Sequence, residues 1–116
     1  MLKKNKFPIY NDGVILICRE KEKKSSFNAK LNSTSMDDVD VIYKLDFQEM
    51  SKRQEDIEFA HSLSFSLDLK IKTRYVKGID NKCKAVYDNR LYDIKHIDPT
   101  RTELFLYLQG GRRIDT

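Results

Sequence analysis

Residues 65–75 read FSLDLKIKTRY. The odd positions, Phe65, Leu67, Leu69, Ile71, Thr73 and Tyr75, are apolar or β-favouring, and the even ones, Ser66, Asp68, Lys70, Lys72 and Arg74, are polar. Strict alternation with a period of two is the pattern of a strand with one face on a core and the other in water. Eleven residues at about 3.3 Å each span roughly 36 Å, long for a globular strand. A strand of that length is expected to bend around a barrel or to serve two packing surfaces.

A second alternation precedes it. Val39, Val41, Tyr43, Leu45 and Phe47 fall on one side of Val39–Phe47, and Asp40, Ile42, Lys44 and Asp46 on the other. Between the two alternations, Ser51 with Gln54 three positions on gives a Ser-x-x-Gln capping box. Glu55 and Asp56 suit the positive end of the helix that follows. The spacing predicts a helix over 51–63 with Met50, Ile57, Ala60 and Leu63 near one face.

The remaining strands are short. Val14 to Arg19, apolar without a break through Cys18, reads as a strand buried on both sides for part of its length. After Tyr75, Gly78 marks a turn through its tolerance of positive φ. Lys82–Tyr87 and Arg90–Ile97 read as a hairpin around Asp88-Asn89, a two-residue turn of the I′ kind. Thr102–Gln109 is the last predicted strand. Six antiparallel strands with closely spaced turns and one short helix predict an all-β fold, a small closed or nearly closed barrel with the helix over an open end or side. The four strands of the second half are expected to form a meander.

A chain of 116 residues is one domain, able to bury a core without staples. Residues 1–12 read as a loose N-terminal arm, and residues 110–116 as a polar tail released by Gly110-Gly111. Glu20–Asp38 has no period and predicts a mobile loop on a rigid base, since loops this long are usually functional or disordered. Within it, Lys21, Lys23, Lys24, Phe27 and Lys30 are the candidate partner-facing or channel-facing residues. The helix with its flanking turn, Gln48–Ser64, is the competing contact site.

No apolar run reaches the length of a membrane span or of a signal-peptide core, so the chain is expected to be made and kept in a reducing cytosol, away from membranes. Cys18 and Cys83, 65 positions apart, have neither metal-knuckle nor redox-pair spacing and read as buried thiols. Charge is unevenly spread. Residues 1–30 carry eight Lys/Arg against three Asp/Glu, residues 31–60 three against eight, and residues 61–116 eleven against seven. Blocks of opposite sign can steer copies head to tail or dock one copy on a charged partner.

No catalytic, metal or cofactor constellation is legible. His61 and His96 have no second ligand at a binding offset. The Asp37-Asp38 and Glu55-Asp56 pairs diverge on a strand or helix, and there is no Gly-rich phosphate loop. Small barrels also bind single-stranded nucleic acid through cations and stacking aromatics. Tyr75, Tyr87, Tyr92, Phe105 and Tyr107 lie among lysines and arginines. On the long strand, however, aromatics and cations occupy opposite faces, so the aromatic set reads as core. A small OB-like nucleic-acid-binding barrel stays as the alternative.

Residues 43–108 resemble the head–tail joining, or head-closure, proteins of long-tailed bacteriophages. The resemblance rests on an ordered set: the strand at Val39–Phe47, the polar helix 51–63, the strand ending Ile71-Lys72-Thr73-Arg74-Tyr75, then Gly78-Ile79, and Val86-Tyr87-Asp88-Asn89-Arg90-Leu91-Tyr92-Asp93-Ile94. Asn89 stands where that family often has Gly, a tolerable exchange in a type I′ turn. The resemblance implies a non-enzymatic small β-barrel without cofactor, present in host cytoplasm and then in the virion. It would assemble as a ring of its own copies beneath the portal or adaptor after DNA packaging. There it would extend or plug the DNA channel and offer the tail-completion proteins a docking surface.

Overall fold

The computed structural model describes residues 10–20 and 39–113. In chain order these form β1 (Gly13–Glu20), β2 (Val39–Met50), α1 (Gln54–Ser62), β3 (Leu69–Arg74), β4 (Lys84–Tyr87), β5 (Arg90–Pro99) and β6 (Glu103–Arg113). All ladders are antiparallel, and the sheet closes on itself in the order β1-β2-β3-β6-β5-β4. Closure comes from β4 returning to β1 through Leu16↔Val86, Ile17↔Ala85 and Cys18↔Lys84. The fold is therefore the predicted all-β arrangement of six strands with one short helix.

A ring of so few strands encloses a space that side chains fill. Ile15, Ile17, Phe47, Ile71, Leu106 and Leu108 are completely buried there, with Leu45, Leu69, Ala85, Ile94 and Leu104 in the same cluster. A smaller cluster joins Leu16, Cys18 and Val86, which alternate with the interior residues on β1 and β4, to Val39 of β2 and Leu91 of β5. Cys18 and Cys83 are both buried free thiols. Burial pushes the Cys18 thiol up to about 11, and the nearby Cys83 adds to the effect.

The long alternation is paired over only part of its length. Burial keeps its period of two from Phe65 to Thr73, but the ladder begins at Leu69. Phe65 and Leu67 pack with Ala60 and Tyr107 instead. Side chains hold this extended lead-in. Ser66 N–H donates to Gln109 Oε1 at 3.1 Å, and Gly110 N–H donates to Asp68 Oδ2 at 2.7 Å. Tyr75, predicted to face the core, is 45% exposed.

On β2 the faces change at a bulge. Ile17 sits opposite Tyr43 but Cys18 opposite Val41, so Ile42 is the extra residue. The extra residue inverts the inward–outward order on its N-terminal side. Ile42 packs against the core from a half-buried position, and Val41, predicted to point inward, is 48% exposed.

The predicted meander is a meander of three. β4, β5 and β6 follow one another, while β3 pairs with β6 through Leu69↔Leu108 to Arg74↔Glu103. The connection 75–83 must therefore cross between strands that are not neighbours. Tyr43 Oη donates to Lys77 O at 2.5 Å, and Arg19 Nη2 donates to Gly78 O at 2.9 Å. Gly78 has the expected positive φ of 87°, and the hairpin turn shows φ of 53° at Asp88 and 59° at Asn89, as a type I′ turn requires.

Gly110-Gly111 does not end the last strand, because β6 runs on to Arg113. Gly111, at φ 89°, supplies the bulge opposite Leu91/Tyr92. A Cβ there would lie 2.9 Å from the Tyr92 ring, so a side chain would have to displace that ring and hold a strained positive φ. Of the N-terminal arm, residues 1–9 lie outside the described residues. Its end is tied down: Asp12 N–H donates to Phe47 O at 3.0 Å, and Tyr10 Oη donates to Glu103 Oε2 at 2.7 Å. Burial first, then the bond to Glu103 and that carboxylate's charge, push the Tyr10 hydroxyl up to about 12.

Candidate partner-contact surface

Both faces of β6 are apolar. Leu104, Leu106 and Leu108 point into the ring, and Phe105 and Tyr107 point out. A strand of that kind is covered on both sides, and α1 supplies the outer cover.

The helix begins two residues later than the Ser51 box predicts. Arg53 is the N-cap, and its backbone N–H donates to Asp56 Oδ2 at 3.0 Å. The acidic arm of a capping box is thus present at Asp56, although arginine has no side-chain acceptor for the other arm. Ser51 lies outside the helix and is exposed.

Asp56 also reaches the sheet. Lys70 Nζ on β3 donates to Asp56 Oδ1 at 3.1 Å, with side-chain exposures of 13% and 10%. Desolvation pushes the Asp56 carboxyl up. The backbone bond from Arg53, with the bond and charge of Lys70, outweighs it and leaves the pKa lowered. Lys70 Nζ lies 5.7 Å from the Phe105 ring centroid and 5.1 Å from that of Tyr107, within the range of a cation–π contact. The ammonium is therefore held between a carboxylate and aromatic rings under the helix.

Beside this pair, Phe59, His96 and Tyr107 meet edge to face. Their centroids are 4.8 Å apart for Phe59–His96, 5.8 Å for Phe59–Tyr107 and 5.1 Å for His96–Tyr107. His96 reaches this face because a bulge lies between Ile94 and His96 on β5. Ile94 points into the core, and the bulge sets His96 on the outer side instead.

The outer flanks of the helix stay open. Ile57 is 40%, Phe59 37% and Leu63 52% exposed. Ile57 and Leu63 do not join Ala60 in burial, which corrects the predicted packing face. Next to Leu63, a shallow recess of about 430 Å³ is lined by His61, Ser64, Phe65, Ser66 and Gln109. The arrangement is an apolar rim around a neutralised ion pair, with chemistry suited to contact.

Of the predicted candidates, Lys21, Lys23, Lys24, Phe27 and Lys30 lie outside the described residues. The competing site, helix 51–63, is the one the structure describes. Sequence reasoning missed Lys70, Phe105, Tyr107 and His96 as its floor. The available signal was the doubly apolar run Leu104–Leu108. Among the described residues no group of three or more His, Cys, Asp or Glu is placed to hold a metal ion, and no helix is long and apolar enough to cross a membrane. Comparison with family models and with curated proteins returns no match for this chain.

Proposed function

We propose that this chain is a structural connector of long-tailed bacteriophage particles. It assembles as a ring beneath the portal or its adaptor after packaging, extends or closes the DNA channel, and offers the tail a docking surface. The observation that carries the reading is the placement of α1. Among the described residues, an antiparallel ring with a single helix lodged outside it between β2 and β3 is the order of elements on which the resemblance rests. The helix leaves Ile57, Phe59 and Leu63 open at its flanks, as a docking surface requires. Opposite charge blocks in residues 1–30 and 31–60 favour a heterologous contact between copies, the kind that closes into rings.

The test is assembly with and without partners. Sedimentation of the pure chain at low and high salt should give a monomer or a weak, salt-sensitive oligomer. Addition to DNA-filled heads carrying portal and adaptor should give a bound ring that sediments with them. A tight, salt-insensitive dimer that ignores filled heads would sink the proposal.

A further inference from the structure

The tip of the β4–β5 hairpin carries an arrangement that stability alone does not favour. Tyr87 pairs with Arg90 across the turn, and Arg90 pairs with Arg113 on β6. Residues directly opposite one another share a face, so one aromatic ring and two guanidiniums line up across three strands. Like charges directly opposite are unfavourable in a sheet. Among the described residues neither arginine has a carboxylate within ion-pair distance. Arg90 Nη1 donates to Gly111 O at 2.7 Å, which fixes that guanidinium, while Arg113 is exposed.

Between them is a recess of about 180 Å³ lined by Asp88, Asn89, Arg90 and Arg113. One carboxylate against two guanidiniums leaves it net positive. At about 30 Å³ per water, it has room for one phosphate with some of its hydration. Tyr87 is anchored edge-on to Phe47 at 4.9 Å, so the aromatic side chain paired with Arg90 is fixed.

We propose that Arg90 and Arg113 form a two-arginine clamp for a phosphate group, presented either by a nucleic-acid backbone or as free phosphate. Guanidiniums bind phosphate oxygens through paired N–H donors, and one pinned arginine facing one open arginine leaves only the second to be ordered on binding. The site stands apart from the connector reading, since it concerns the hairpin tip and would hold for any protein with this rim.

The test uses the full chain and two probes. Anisotropy of a labelled oligothymidine of about 12 nucleotides is read at about 50 and about 200 mM salt, and backbone amide shifts are followed on addition of inorganic phosphate. Arg113→Gln should weaken oligonucleotide binding roughly tenfold and lower the salt slope by about 1. Arg101→Gln, an exposed arginine on the β5–β6 turn, should leave both unchanged. If the oligonucleotide does not bind but phosphate shifts the amides of Asn89, Arg90 and Arg113 in the parent and not in Arg113→Gln, the clamp stands and its ligand is free phosphate. Binding unchanged in Arg113→Gln, an equal loss in Arg101→Gln, or no response to either probe would overturn it. A thermal melt checks folding, and Arg90→Lys, which keeps the charge and loses the fork, replaces Arg113→Gln with the same expectation if the latter melts early.

Discussion

The inside of the ring and the layer under α1 are two packing regions built on different chemistry. Among the described residues the interior is filled by aliphatic side chains, Phe47 and the Cys83 thiol, with no ion pair in its cluster. The outer layer has only Ala60, Phe65, Leu67 and Tyr107 as its buried apolar set, and adds an ion pair and an aromatic triangle containing His96. The interior accounts for why the chain folds. The outer layer spends little apolar area and fixes one helix at one position on the sheet. Side chains committed to a core cannot face a partner, whereas those on the helix flanks can.

The largest expected effect tests the interior. Phe47 is fully buried and borders both β1 and β3, so Phe47→Ala should cost about 3–5 kcal/mol, read as the shift of the urea midpoint at constant slope. A loss below about 1 kcal/mol would mean that the ring is not the main core.

Next comes the ion pair. Asp56→Ala strands Lys70 in a nearly buried position and should cost about 3 kcal/mol. Replacing both, with Asp56→Leu and Lys70→Met, should recover most of that loss. A double variant as unstable as the single one would show that the pair itself, not the stranded charge, matters. The pair also sets an acid response. The Asp56 pKa is lowered in the fold, so its contribution is full above the ordinary Asp value of about 3.9 and is lost as pH falls through the lower folded value. Between pH 5 and pH 2 the parent should lose more stability than the apolar double variant.

At the rim, Phe59→Ala should cost about 1 kcal/mol, since Phe59 is partly exposed and its edge contacts are worth roughly 0.5–1.5 kcal/mol. Docking on filled heads should fall far more than stability does. Equal losses in both would move the contact surface elsewhere. The smallest effect lies in the turn, where Asn89→Gly removes a side chain held at φ 59°. A midpoint shift within about 0.5 kcal/mol is expected, because Asn already tolerates this conformation.

The strands were legible where one face is buried and the register is regular, as at Leu69–Thr73 and at the Asp88-Asn89 hairpin. They misled wherever an extra residue changed the parity. At Ile42 and between Ile94 and His96 a bulge moves side chains to the other face, and nothing in local composition marks a bulge that lacks glycine. Phe65 and Leu67 kept the alternation without the ladder, because a helix packing above an extended segment imposes the same period as a sheet. The contact surface was half legible. The helix was evident, but its floor comes from β3, β5 and β6, and only the pairing of β3 with β6 brings Lys70 beside Tyr107.

That pairing order also governs how the chain can reach its native state. The ladder closing the ring joins Leu16 to Val86, and the one joining the two halves runs from Leu69↔Leu108 to Arg74↔Glu103. Neither can form from a nearby hairpin, and each loop must be closed before its contacts repay the lost entropy. Such non-local topology places refolding in the millisecond-to-second range. On a ribosome, β3 must wait for the whole of β6 to emerge. Until then the edge of β3 opposite β2 lies open, which leaves the nascent chain vulnerable to mispairing along that edge.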